Sequence, residues 1–277
     1  MQPLLQPWNE PATLQPAALG PPAAAGDPIR WPVMVQRWVD VVFLHWRYDP
    51  AVVQALLPPG VTVDVYDGSA WVGLVPFRME GLGLPRLAPL PLVGSFPEVN
   101  VRTYVHAGDR RGVWFFSLDI DRVLPTVVAR AVYDLPYCYG RAGHRRLGSV
   151  VSTEVERRWP AADGGAGAEI VVRGGRALTG PDPLAHFLTS RWGLLSAGRR
   201  GRIRWAPIHH GPWPLHHAEV LHLDERLVAA TGLPAPDGPP HALWSPGVDV
   251  TVGLPTRRLL VPDRCGQPPV EKIESAV

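Results

Sequence analysis

Residues 97–105, PEVNVRTYV, alternate strictly between polar and apolar neighbours. Glu98, Asn100, Arg102 and Tyr104 fall on one side, and Val99, Val101, Thr103 and Val105 on the other. Period two marks a β-strand with unlike faces. The same alternation in GVWFFSLDIDR sets Trp114, Phe116, Leu118 and Ile120 against Phe115, Ser117, Asp119 and Asp121. In VTVDVYDGSAWVGLVPFRM, Val61, Val63 and Val65 alternate with polar residues, and Asp67-Gly68 supplies a hairpin turn before a second strand.

Further strands are predicted in the aromatic-rich WPVMVQRWVDVVFLHWRYDP, in the extended LPYCYG, and in SVVSTEVERRW, AEIVVRGG, RIRWAPIHH and HAEVLHL. Helical signals are fewer. DPAVVQALLPPG reads as a short helix capped by Asp49, with Pro50 in its first turn and PPG ending it. PTVVARAVYD has helix length, with Pro125 suited to its first turn. DPLAHFLTSRWGLL is capped by Asp182, and Leu184, Phe187, Leu188 and Arg191 follow helical spacing. ERLVAATG is helix-like, and the Pro/Gly-rich EGLGLPRLAPLPLVGSF is long enough for a lid or rim. The expected fold is α+β and mostly antiparallel β. A flexible Pro/Ala-rich leader over 1–30 precedes one domain over 31–254 and a polar tail over 255–277.

Composition narrows the chemistry. With 277 residues, 46% hydrophobic and 19% charged, the chain can bury a substantial core. A net charge of +2 suggests no polyanion surface, and the basic run RRGR at 199–202 reads as a solvated loop. No nucleic-acid partner is therefore expected. No apolar run reaches the roughly 18–20 residues of a membrane helix, and the N-terminus lacks the pattern of a secretory signal. A cytoplasmic protein with no membrane partner is the default. Cys138 and Cys265 make neither a disulfide framework nor a CxxC motif. GxGxxG and P-loop motifs are absent, so no cofactor is expected. Of the 27 basic residues only Lys272, in the polar tail, is a lysine. A Schiff base needs a neutral amine in a desolvated site, and arginine cannot supply one.

Several segments, taken in order, resemble a known family. LLPPGVTVDVYDGSAWVGLVPFRM, FPEVNVRTYV, GVWFFSLDIDR, ARAVYDLPY, HFLTSRWGLL, HHGPWPLHHAEV and WSPGVDV are similar to the YqjF-like bacterial proteins, a family of unknown function. That family more distantly resembles the acetoacetate decarboxylase superfamily. The resemblance implies an acetoacetate-decarboxylase-like β-barrel with a central cavity and a few short helices. It places Glu98 where true decarboxylases carry a cavity glutamate, and matches Arg130 and Pro136 of ARAVYDLPY to an arginine and a proline of the decarboxylase segment. Tyr137 then stands where the Schiff-base lysine belongs, so iminium-forming decarboxylation is not expected.

Three groups of residues are candidates for a site. The row Glu98, Asn100, Arg102 and Tyr104 is either the wet face of a strand or, in a barrel, a cavity wall. If buried, Glu98 and Arg102 could hold each other's charge. With Glu98 as base, Tyr137 would donate to a developing oxyanion and an arginine, Arg130 among them, would hold a carboxylate. Ser117 and His210 complete the candidate ligand-binding set. His209, His210, His216, His217 and His222 fit no zinc signature, so no metal is expected. The resulting expectation is a pocket for a small, anionic organic molecule. The protein would be a lyase or other acid–base enzyme acting on an oxo acid or carbonyl compound without a Schiff-base lysine. The alternative is a non-catalytic binder or sensor of a metabolite or xenobiotic. A homodimer would cover exposed sheet edges.

Overall fold

A computed structural model describes residues 28–87, 94–162, 165–180, 182–198 and 201–256. The expected leader, save its last residues, most of the tail with Cys265 and Lys272, the middle of the rim loop, and Arg199 and Arg200 lie outside them.

Among the described residues, twelve strands and three helices follow in order: β1 (Met34–Tyr48), α1 (Pro50–Gln54), β2 (Thr62–Val63), β3 (Ala70–Gly83), β4 (Phe96–Ala107), β5 (Arg110–Ile120) and α2 (Val123–Tyr133). Then come β6 (Tyr137–Leu147), β7 (Val150–Trp159), β8 (Gly167–Ala177), α3 (Pro183–Thr189), β9 (Gly193–Gly198), β10 (Arg202–His210), β11 (His216–Glu225) and β12 (His241–Val252). The helix caps act as their sequences imply. The Asp49 carboxylate accepts from the Ala51 amide and Asp182 from the Ala185 amide, each ahead of a proline in the first turn.

Three local expectations change. ERLVAATG forms only a 3-10 turn at Ala229–Thr231, because Gly232 takes a left-handed φ of 95° and stops it. Asp67-Gly68 does make a tight turn, closed by the Tyr66–Ser69 bridge. The arm before that turn, β2, leaves its sequence neighbour β3 and pairs with β4 instead. The helix expected through Arg191 ends at Thr189, and residues 193–198 turn into β9.

The sheet is mostly antiparallel; among the described strands only β5–β6 and β5–β9 run parallel. Its pairings return on themselves. From β5 the path runs through β4, β3, β1, β12, β10 and β9 and back to β5. A second path joins β5 to β12 through β6, β7, β8 and β11. The shared strands β1, β3, β4, β5 and β12 are therefore covered on both faces. On one face Val42, Leu44, Val99 and Val101 pack with Ile170 and Val172 of β8. On the other Phe43, Phe77, Leu118 and Ile120 pack with Ile208 and Val250.

A bulge in β5 decides which side chains meet. Val101 lies opposite Ser117 and Arg102 opposite Phe115, so Phe116 is the extra residue. One inserted residue exchanges the faces of a strand. Trp114 and Phe116 thus pack with the first core and Leu118 and Ile120 with the second, although simple alternation puts all four together.

Candidate functional site

The polar row of β4 is interior. Glu98 is 3% exposed, Asn100 3%, Arg102 7% and Tyr104 0%. Its opposite side, Val99, Val101 and Val105, is in the first core, so alternation here separates two interiors and not core from water. Two consecutive registers bring Tyr137 to this row. Asn100 pairs with Leu118 on β5, and Leu118 with Tyr137 on the parallel β6, while Glu98 pairs with Ile120. Register partners share a face, so the phenol reaches back across β5. Its hydroxyl donates to Glu98 Oε2 at 3.0 Å.

Among the described residues no arginine or histidine pairs with the Glu98 carboxylate. Burial pushes its pKa up to about 7; hydrogen bonds from Tyr137 and Asn100 oppose the rise, and the charge of Asp119 adds to it. Burial together with Glu98 holds the Tyr137 phenol well above its ordinary range. Asn100 donates its amide group to Glu98, and its Oδ1 is buried with no partner among the described residues. The group at this end is a carboxyl poised between its two protonation states, touching a phenol that stays protonated.

The other end of the row does different work. Glu98 and Arg102 stand four residues apart, about 13 Å along the strand, and no ion pair joins them, contrary to mutual neutralisation. Arg102 Nη2 instead donates to the Leu188 carbonyl at 3.2 Å, and the Tyr104 hydroxyl donates to the same oxygen at 2.6 Å. Arg191 Nε takes the Phe187 carbonyl and Trp213 Nε1 that of Thr189, so buried donors satisfy the C-terminal carbonyls of α3. His45 Nε2 lies 2.6 Å from the Tyr104 hydroxyl. Since that hydroxyl donates to Leu188, Nε2 carries the proton donated to it, and Nδ1 is left buried and unpartnered. Burial and the Arg102 charge hold His45 neutral. Gly73 lies in register between His45 and Arg102, and a Cβ there would come within 2.6 Å of His45 Nε2. The missing side chain is what lets the imidazole lie across β3.

The remaining expected site residues are dispersed. The β5 bulge turns Ser117 onto the face opposite Glu98, where its hydroxyl donates to Asp119 at 3.1 Å. Asp119 is fully buried and bound through both oxygens by Arg157, at 2.6 and 2.8 Å. Arg130 is exposed on α2; Nη1 donates to the Tyr137 carbonyl at 2.6 Å, behind the phenol, and the guanidinium lies over Trp159. It braces the Tyr137 backbone and does not face the carboxylate. His210 is buried among Trp192, Trp213 and Trp38, with Nδ1 against the Gly211 carbonyl. His216 contacts the Gly175 carbonyl and the Trp244 ring, and His222 approaches Glu169 at the surface. Among the described residues no three His, Cys, Asp or Glu side chains gather closely enough to hold a metal ion. Burial pushes the Cys138 thiol up to about 11, which makes it a poor nucleophile.

Sequence reasoning missed His45, Gly73 and the Asp119–Arg157 pair. His45 had one usable signal: it is the polar member of the face it shares with Val41 and Phe43. Arg157 had none, because its partner lies 38 residues away across two strands.

The sequence profile of the family DUF2071, described as an uncharacterized conserved protein, matches residues 35–249. The uncharacterized protein YqjF of Bacillus subtilis (strain 168) is 32% identical over 223 residues, which cover 79% of this chain and 89% of that protein. Solved structures with a similar fold include an acetoacetate decarboxylase from Legionella pneumophila, with a TM-score of 0.59 at 12% identity, covering 87% of this chain and 97% of that one. An acetoacetate decarboxylase-like enzyme from Sphingomonas wittichii RW1 has a TM-score of 0.57 at 15% identity, covering 85% and 98%. The enduracididine biosynthesis enzyme MppR complexed with pyruvate has a TM-score of 0.58 at 15% identity, covering 85% and 93%. At these identities the likeness is one of fold.

Proposed function

This chain belongs to the DUF2071 family, and from that premise we propose that it is an acid–base enzyme acting on a small oxo acid or related carbonyl compound without an imine. We read the closed path of strands as the decarboxylase-like barrel, with Glu98, Asn100 and Tyr137 lining its interior. The observation that carries the reading is a buried carboxyl with no cation to hold its charge, 3.0 Å from a phenol that stays protonated. A carboxylate kept for structure is normally locked in an ion pair, as Asp119 is with Arg157. One kept for proton transfer is tuned toward neutrality.

In the reaction Glu98, as carboxylate, takes a proton from the carbon next to the substrate carbonyl and becomes a carboxyl. The electron pair of the broken C–H bond forms the C=C bond of an enolate while the carbonyl π pair moves onto oxygen, and the Tyr137 O–H stabilises that oxyanion by hydrogen bonding. Return of the proton restores both groups. By the family resemblance Tyr137 takes the place of the decarboxylase lysine, and it makes no covalent bond in this scheme. The pyruvate in the MppR complex supports an oxo acid as the class to test first.

The test is exchange of the C3 protons of 2-oxobutanoate into deuterated buffer, followed by proton NMR. Wild-type protein should accelerate exchange above the buffer rate, and Glu98→Gln should return it to that rate. Tyr137→Phe should lower it by about 10²-fold, the usual worth of one oxyanion donor. Equal exchange by wild type and Glu98→Gln would remove the carboxyl from the chemistry.

A further inference from the structure

Helix α2 presents apolar side chains on both of its sides. Thr126 and Tyr133 are buried, and Ala129 packs on the second core. The opposite side carries Val123, Leu124, Val127, Ala131 and Val132, all exposed. A surface helix ordinarily sets charged and polar residues opposite its core face. Here the one charge, Arg130, is spent on the Tyr137 carbonyl and lies over the Trp159 ring. Among the described residues nothing covers the outer face of α2.

The last described residues lie beside it. The Gly253 amide donates to the Pro207 carbonyl at 2.9 Å and the Thr256 amide to the Trp205 carbonyl at 2.8 Å. Residues 253–256 therefore run antiparallel along β10, toward its start. Arg204, next to Trp205, reaches the C-terminal end of α2: Nη1 donates to the Val132 carbonyl at 3.2 Å and to Asp134 at 2.7 Å. Thr256 and the end of α2 thus stand about one arginine side chain apart. The next residues in sequence are Arg257, Arg258, Leu259, Leu260 and Val261. Five residues reach up to about 17 Å, and the 11 residues of α2 span about 16 Å. Charge matches as well as reach. The last carbonyls of a helix carry partial negative charge, Asp134 adds a carboxylate there, and the two arginines come first.

We propose that residues 257–261 of this chain dock on the outer face of α2. The arginines sit at its C-terminal end, and Leu259, Leu260 and Val261 cover Val132, Val127 and Leu124. The helix whose Arg130 braces the Tyr137 backbone is then held from outside as well as from the sheet. None of this depends on acid–base chemistry at Glu98.

The test is disulfide trapping in the full chain. Cys265→Ser removes the thiol native to the tail, and Cys138 is buried. In that background Leu260→Cys is combined either with Val127→Cys on α2 or with Asp109→Cys. Asp109 is 85% exposed and precedes the Arg110 that lies over Trp205. A free tail reaches both positions, whereas a docked one reaches only α2. Under mild oxidation, peptide mapping should show the intrachain 127–260 bond forming at least about tenfold faster than the 109–260 bond, since bridging needs Cα atoms within about 7 Å. Leu260→Asp in the otherwise native chain should speed hydrogen exchange of the α2 amides by about tenfold, the worth of one leucine side chain partly buried. Equal trapping at the two positions, or none at 127, overturns the proposal. So does a bond formed only between chains, which would make this face a contact between two copies, and so does unchanged exchange in Leu260→Asp. Val127 is more than half exposed, so its replacement costs no core packing and trapping is read on folded protein.

Discussion

Replacing Glu98 by glutamine removes one ionisation and little else, since the amide keeps a carbonyl oxygen to accept from Tyr137 and Asn100. In the folded chain burial holds the carboxyl near pH 7, against an ordinary value of 4.5. Between those two pH values the folded state retains a proton that the unfolded chain has released. Stability is therefore highest below about pH 4.5, falls as pH rises through the window, and reaches its full deficit above about pH 7. The gap in pKa corresponds to about 3 kcal/mol. The assay is equilibrium urea unfolding of both proteins from pH 4.5 to pH 8.5. Taking the difference cancels groups common to both, including the buried His45, His144 and His210, whose lowered pKa values work in the opposite direction by costing stability as pH falls. Near pH 4.5 the two should agree within about 1 kcal/mol. By pH 8.5 the glutamine variant should be more stable by about 3 kcal/mol. A difference that stays flat would mean that Glu98 ionises as it does in water, and the reasoning from burial without a counter-charge would fail with it.

Tyr137→Phe removes a hydrogen bond that favours the charged carboxylate, so carbon-13 titration of the Glu98 carboxyl should show its pKa rising further, by about one pH unit; a fall would mean the phenol does not donate to it. Gly73→Ala drives a methyl group into the His45 ring, and loss of the His45–Tyr104 contact should cost about 2 kcal/mol in unfolding, within the range for overpacked sites; an unchanged midpoint would refute the close approach. Asp119→Asn leaves Arg157 buried with its charge uncompensated, so a loss of about 3–5 kcal/mol is expected, whereas a surface pair such as Arg173–Glu219 should lose under about 1 kcal/mol on Glu219→Gln.

Much of the architecture was legible residue by residue. Period-two alternation marked β4, β5 and the β2 arm, and Asp49 and Asp182, each followed by proline, marked two helix starts, because strand faces and caps are decided within a few bonds of the chain. The β4 row was legible as a polar face, and the family resemblance pointed to Glu98 and Tyr137 together. What lay beyond either face of β4 could not be read locally. A polar face looks the same in sequence whether it meets water or a second interior. Only the non-local pairings β5–β9 and β10–β12 turn that face inward. The bulge at Phe116 likewise has no signature in GVWFFSLDIDR, yet it sends Ser117 away from Glu98 while Leu118 aligns Tyr137 with the row. Arg102 was expected to answer a carboxylate, and it answers the end of a helix 86 residues downstream. Composition and alternation determined that this chain would build two-faced strands around a substantial core. Which of its polar groups are satisfied by backbone, which by ions, and which are left as an unpaired acid beside a phenol was decided by contacts between segments far apart in sequence, where register and burial set both distance and charge.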